Sequence, residues 1–138
     1  MESIDDKEDM QFADEAFDIL GFTKEEKNNV YKVTAVVMHL GEIKFKARSS
    51  KDEQAVADEA NQAMGAKVAK LLGMDTDLMY ENFVRPKIKV GSEWVTKGQT
   101  VAQAGNAVAG IARAIFERQF RYLVHKCNDT LVDPSMRK

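Results

Sequence analysis

The sequence predicts a mainly α fold with minor β: a helical subdomain with a short strand, one β-hairpin and a long C-terminal helix. Three observations predict it. Thr23-Lys-Glu-Glu26 is a helix-starting capping box followed by an apolar stripe. Lys87-Ile-Lys-Val90, Gly91-Ser92 and Glu93-Trp-Val-Thr96 alternate around a two-residue turn. From about Thr100 to Leu131 no proline interrupts a run of good helix formers.

In chain order, residues 1–11 are acidic and weakly patterned and read as a lead-in. Asp14 to Leu20 forms a helical stretch that Gly21 stops. The helix opened by Thr23 places Val30, Val33, Val37 and Leu40 on one face and ends at Gly41. Ile43-Lys-Phe-Lys46 alternates as a short strand, and residues 47–54 carry no stripe and read as a solvated loop. Alanine-rich residues 55–72 predict a helix with Met64, Val68, Leu71 and Leu72 inward. Asp75 can cap a short helix through Phe83, and Pro86 prevents its continuation. In the hairpin, glycine first in the turn suits type II′, which sets Ile88 opposite Val95 and Lys89 opposite Trp94. The last helix, roughly 45 Å long at 1.5 Å per residue, carries Val108, Ile111, Ile115, Phe116, Phe120, Leu123, Val124, Cys127 and Leu131, which drift around its surface.

The chain has 138 residues, the size of one domain, with 44% hydrophobic and 30% charged residues. It has no apolar run long enough for a membrane span, its N-terminus is unlike a signal peptide, and a lone cysteine fits a reducing interior. A cytoplasmic protein is expected. The net charge of −2 hides an uneven distribution: residues 1–18 carry eight acids against one lysine, while Arg85, Lys87, Lys89 and Lys97 face only Glu93 over 85–97. A basic patch on a slightly acidic protein points to an acidic partner or a solvated face, not to general nucleic-acid binding. Trp94, the one tryptophan, either supplies a rigid contact among those lysines or covers the hairpin's own apolar side.

No catalytic constellation is visible. There is no phosphate-binding loop, and Gly105 and Gly110 read as helix-packing positions. His39 and His125 lie on separate helices without converging ligands, and Cys127 has no base spaced to activate it. The acidic pairs near the N-terminus lack a calcium-loop pattern.

The strings Ser3-Ile-Asp-Asp6, Asp14-Glu-Ala-Phe-Asp-Ile-Leu-Gly-Phe-Thr23 and Tyr31-Lys-Val-Thr-Ala-Val-Val-Met-His-Leu-Gly41 closely resemble the muscle-type myosin II heavy chain. So do Ile43-Lys-Phe-Lys46, Pro86-Lys-Ile-Lys-Val-Gly91, Val95-Thr-Lys-Gly-Gln99, Ala112-Arg-Ala-Ile-Phe-Glu-Arg-Gln-Phe120 and Asn128-Asp-Thr-Leu131, in the expected order. The resemblance spans nearly the whole chain. It implies a single subdomain, residues 1–138, from the upper 50-kDa region of a motor head, between its two switch loops. The parent would then be an actin-activated ATPase using ATP and magnesium, with a coiled-coil tail in the thick filament of the myofibril. This chain alone would hold no cofactor and be no enzyme. The hairpin at 86–97 would touch filamentous actin through Lys87, Ile88, Lys89, Glu93, Trp94 and Lys97, and residues 47–54 (with Lys51, Asp52 and Glu53) would match a second actin-contacting loop. Lys87 stands where the family has an arginine, which keeps the charge and loses the bidentate fork. The helix at 100–131 would link the actin and nucleotide sides. The remainder of the head and a myosin-folding chaperone are the other implied partners, with no nucleic acid and no membrane.

Two departures stand out. Residues 56–70 are richer in alanine than the family's acidic stretch, which predicts a shorter loop and a longer helix. Residues 100–109 carry unusually small side chains. Both suit an alternative, a stand-alone and engineered non-enzymatic helical interaction domain.

Overall fold

The structure is a computed structural model that describes residues 5–132. Ser3 and Ile4 of the first matching string and the start of the lead-in lie outside the described residues. Five helices, α1 (Asp6–Ile19), α2 (Lys24–Leu40), α3 (Gln62–Leu72), α4 (Thr76–Val84) and α5 (Val101–Leu131), accompany four strands, β1 (Phe45–Ser49), β2 (Asp52–Ala57), β3 (Lys87–Val90) and β4 (Glu93–Thr96). The strands pair as two antiparallel hairpins, β1–β2 and β3–β4. The mainly α class with minor β is what the structure has.

The described chain divides into two compact units: the chain up to Lys32 with the chain from Glu117, and Val33–Phe116. Helices α2 and α5 contribute to both.

In the first unit α1 begins at Asp6, eight residues before the expected helix. Asp5 caps it, its Oδ1 accepting from the Lys7 and Glu8 N–H groups at 3.0 and 3.2 Å. The acids that read as unpatterned fill the first turn, where the helix dipole favours negative charge. At the other end Gly21 takes φ +75° and the Phe22 N–H reaches back to the Phe17 carbonyl at 2.9 Å. Phe17 and Phe22 pack edge to face at 4.9 Å, the apolar contact that accompanies this type of helix stop. The Thr23 capping box forms as expected: the Thr23 N–H donates to Glu26 Oε2 at 2.8 Å and the Glu26 N–H donates to Thr23 Oγ1 at 3.2 Å. The free Glu26 oxygen accepts from Lys126 Nζ at 2.6 Å, and Lys126 lies over the Phe22 ring. Lys27 pairs with Asp14 and Asp18 at 2.9 and 2.8 Å.

The second unit is built on Val36, Leu40, Ile43, Val68, Ala69, Met79, Tyr80, Phe83 and Val108. On α2 the buried positions are Val30, Val36 and Leu40, with Val33 and Val37 half-buried. On α3 Val68 is buried as expected, Met64 and Leu71 are half-buried, and Leu72 is exposed.

Three expectations are corrected here. Residues 47–54 are mostly exposed, as expected, but are not a loop: they form the end of β1, a turn and the start of β2, with Ala47 opposite Ala55 and Ser49 opposite Asp52. The helix expected from residue 55 starts at Gln62, preceded by a 3-10 turn at Glu59–Asn61 that Asp58 caps. Helix propensity lost to pairing, because Ala55 is fully buried and its N–H donates to the Gln99 carbonyl at 2.8 Å. The helix that follows, α3, runs for 11 residues. Third, Gly105 and Gly110 do not mediate close packing, since nothing lies within 4 Å of where a Cβ would stand.

The strand expected at Ile43–Lys46 starts only at Phe45, where β1 begins, whereas the Asp75 cap and the stop before Pro86 are as expected. Asp75 Oδ1 accepts from the Leu78 N–H at 2.8 Å, and α4 ends at Val84, two residues before Pro86. A second capping box, which the sequence reading overlooked in Thr100-Val-Ala-Gln103, opens α5: Thr100 N–H to Gln103 Oε1 at 3.0 Å and Gln103 N–H to Thr100 Oγ1 at 3.3 Å.

Candidate functional site

The β3–β4 hairpin keeps the expected register: Lys87 opposite Thr96, Ile88 opposite Val95, Lys89 opposite Trp94 and Val90 opposite Glu93. Gly91 has φ +63° and no described non-glycine residue has positive φ, so the turn is of the type II′ pattern. Directly opposed residues share a face. One face therefore carries Lys87, Lys89, Trp94 and Thr96, and the other carries Ile88, Val90, Glu93 and Val95.

Trp94 is 67% exposed and does not cover the hairpin's apolar side. Ile88 is half-buried, so the two apolar candidates point to opposite faces and cannot serve one flat contact together. Lys87, Lys89, Glu93 and Lys97 are exposed, and none of them takes part in an ion pair among the described residues. The result is a solvent-facing plate of two lysines and an indole, with Lys97 just beyond the strand end.

Lys51, Asp52 and Glu53 lie at the turn and the start of the returning strand of β1–β2. Their roles divide. Lys51 and Glu53 are exposed, whereas Asp52 is committed locally, bound by Arg48 Nη1 at 3.3 Å and accepting the Gln54 N–H at 3.0 Å. Strand β2 meets the base of the β3–β4 hairpin. The Lys97 N–H donates to the Pro86 carbonyl at 3.0 Å, Gln99 N–H to the Val84 carbonyl at 2.9 Å, and Gln54 forms an isolated antiparallel bridge with Thr100. Gln54, Val84, Gln99 and Thr100 were not singled out in the sequence. Only the capping box at Thr100 carried a local signal.

Among the described residues, no group of three or more His, Cys, Asp or Glu side chains converges, and no helix is long and apolar enough to cross a membrane. The perturbed acids belong to structural pairs: the Lys126 ammonium, then the Thr23 N–H, hold Glu26 down at about 2, and Lys27 with the Tyr31 hydroxyl lowers Asp14. His125 faces Asp129 along the same helix at 3.4 Å.

Comparison with known proteins decides the family. Residues 1–138 match the myosin head (motor domain) family from end to end. The chain belongs to that family. It is 43% identical over 131 residues, 95% of the chain, to Myosin-3 of Caenorhabditis briggsae and equally to Myosin-3 of Caenorhabditis elegans. The match covers 6% of the length of those relatives.

Proposed function

We propose that the chain is part of the upper 50-kDa region of a muscle-type myosin motor head, where it presents an actin-binding surface and lets α5 link the actin side to the nucleotide side. The observation that carries this reading is the exposed, unpaired face of Lys87, Lys89 and Trp94 in a chain of the myosin head family. Clustered unpaired cations steer an acidic filament into contact and fix its orientation. Trp94 then supplies a rigid aromatic surface, with Lys97 beside it. Ile88, on the opposite face, supports the hairpin from behind. Lys51 and Glu53 at the tip of β1–β2 form a second point of contact. ATP and magnesium act elsewhere in the parent motor, an actin-activated ATPase of the cytoskeleton and, for a muscle form, of the thick filament. The alternative of a stand-alone helical interaction domain has no observation in its favour beyond the helical content.

Co-sedimentation with filamentous actin tests the reading. Lys87→Glu/Lys89→Glu is expected to reduce pelleting at low salt at least tenfold and to flatten its salt dependence, because exposed charges act over about a Debye length, ~10 Å at 0.1 M salt. Equal pelleting of both proteins across the salt series would refute it.

A further inference from the structure

The lysine plate can act as a defined surface only if something fixes the hairpin's direction. Two four-residue strands exposed along most of their length hold their own shape weakly. Their orientation is set at the base, and one side chain stands at the centre of it. Gln54, half-buried in β2, donates through Nε2 to the Val84 carbonyl at 3.0 Å and to the Ala55 carbonyl at 3.1 Å.

Val84 is the last residue of α4, so its carbonyl is one that the helix leaves without a partner. The same carbonyl accepts the Gln99 N–H, and the Gln99 carbonyl in turn accepts the Ala55 N–H. The Gln54 amide thus ties β2 to the entry of the hairpin, while backbone bonds through Gln99 tie in its exit. Gly98 makes room for it: a Cβ there would overlap Gln54 Oε1 and stand 3.0 Å from Cδ. That gives the glycine of Val95-Thr-Lys-Gly-Gln99 a physical reason.

We propose that Gln54 is a positioning residue that locks the β3–β4 hairpin to the β1–β2 hairpin, so that the Lys87, Lys89 and Trp94 face and the Lys51–Glu53 turn meet an acidic filament as one pre-set surface. The proposal rests on the actin-binding reading for its partner, but the lock itself does not. A contact surface ordered before encounter loses less freedom on binding. The amide is chemically specific: glutamate at this position would set acceptors against two carbonyls, and methionine would fill the space without a donor.

Trp94, as the one tryptophan, reports hairpin motion directly. In time-resolved fluorescence anisotropy, Gln54→Met is expected to enlarge the fast, nanosecond loss of Trp94 polarisation relative to the unaltered chain. Gly98→Ala, which leaves Gln54 chemically intact and displaces its amide, is expected to do the same, and the double variant to add nothing further. Should Gln54→Met fail to fold, Gly98→Ala and Gln54→Glu give the same readout. In actin co-sedimentation Gln54→Met weakens binding several-fold with an unchanged salt slope, whereas Lys87→Glu/Lys89→Glu changes the slope. Unaltered Trp94 anisotropy in the folded variants, or additive effects of the two substitutions, overturns the lock. Absent actin binding by the unaltered chain overturns the functional reading and leaves the anisotropy result to judge the lock. Unaltered actin binding by Gln54→Met alongside loss in the charge-reversed variant overturns the role of the lock in binding.

Discussion

Gly65 and Tyr80 show how tightly one residue can determine another in this fold. Tyr80 is 5% exposed, and its ring and hydroxyl lie directly over Gly65 in α3, on the spot a Cβ would occupy. Burial raises the Tyr80 hydroxyl above its ordinary value, and the oxygen has no well-formed hydrogen bond among the described residues. Backbone and ring are in contact here, so a methyl group has nowhere to go without moving Tyr80 and, behind it, the edge-to-face ring of Phe45 at 6.2 Å. Gly65→Ala is therefore expected to destabilise the chain by about 1–3 kcal/mol, the usual cost of overpacking. Gly105→Ala, in the second turn of α5 where a Cβ would meet nothing, is expected to stabilise by about 0.5–1 kcal/mol through helix propensity alone. Urea denaturation of the two variants beside the parent checks both signs. Equal effects would mean that the contact at Gly65 is not what distinguishes them.

Among the elements, the start of α2 is held by more than its capping box. Glu26 spends one carboxylate oxygen on the Thr23 N–H and the other on Lys126 of α5, 2.6 Å away, with both side chains about a third exposed. The folded carboxyl sits at about 2 against an ordinary 4.5, so the pair contributes stability that is fully present above 4.5 and is lost as pH falls toward 2. The melting-temperature gap between the parent and Glu26→Gln is expected to be constant above that value and to close below it. A gap that stayed constant down to pH 2 would contradict the assignment. The capping half of this arrangement was legible, since Thr23 and Glu26 are three apart; the half supplied by Lys126, a hundred residues on, was not. The same division runs through the chain. The β3–β4 register, the Asp75 cap and the class of fold follow from neighbours in sequence. The β1–β2 hairpin was missed because Ala55 and Val56 are fixed by Phe45–Ala47 and by Gln99, and local propensity says nothing of those partners. The candidate site divides likewise: Lys87, Lys89 and Trp94 could be placed from the strand pattern, whereas Gln54 gains its role only from the distant carbonyl of Val84.

At the scale of the molecule, what matters is how much apolar surface these 138 residues leave uncovered. Along the part of α5 that belongs to the first unit, Phe120, Val124 and Leu131 are 59, 44 and 75% exposed, and at helical spacing they fall on one side. The opposite side of the same stretch is engaged: Gln119 donates to the Val30 carbonyl at 3.1 Å, Tyr122 packs edge-on against Phe22, Lys126 binds Glu26 and Thr130 donates to the Leu20 carbonyl. One side of the helix is thus satisfied internally while the other offers aromatic and branched side chains to water, a combination that drives association when nothing covers it. The isolated chain is expected to self-associate as its concentration rises, with the equilibrium strengthening at high salt, where apolar contacts persist and charge repulsion is screened. Phe120→Glu/Val124→Lys should return it to monomer without loss of helix content, because neither side chain belongs to the buried set. Sedimentation velocity across a concentration series, with far-ultraviolet circular dichroism on the same samples, separates this from unfolding. A parent chain that stays monomeric throughout would show that the ridge on α5 is tolerated in water, and a variant that associates as strongly as the parent would move the contact to another face.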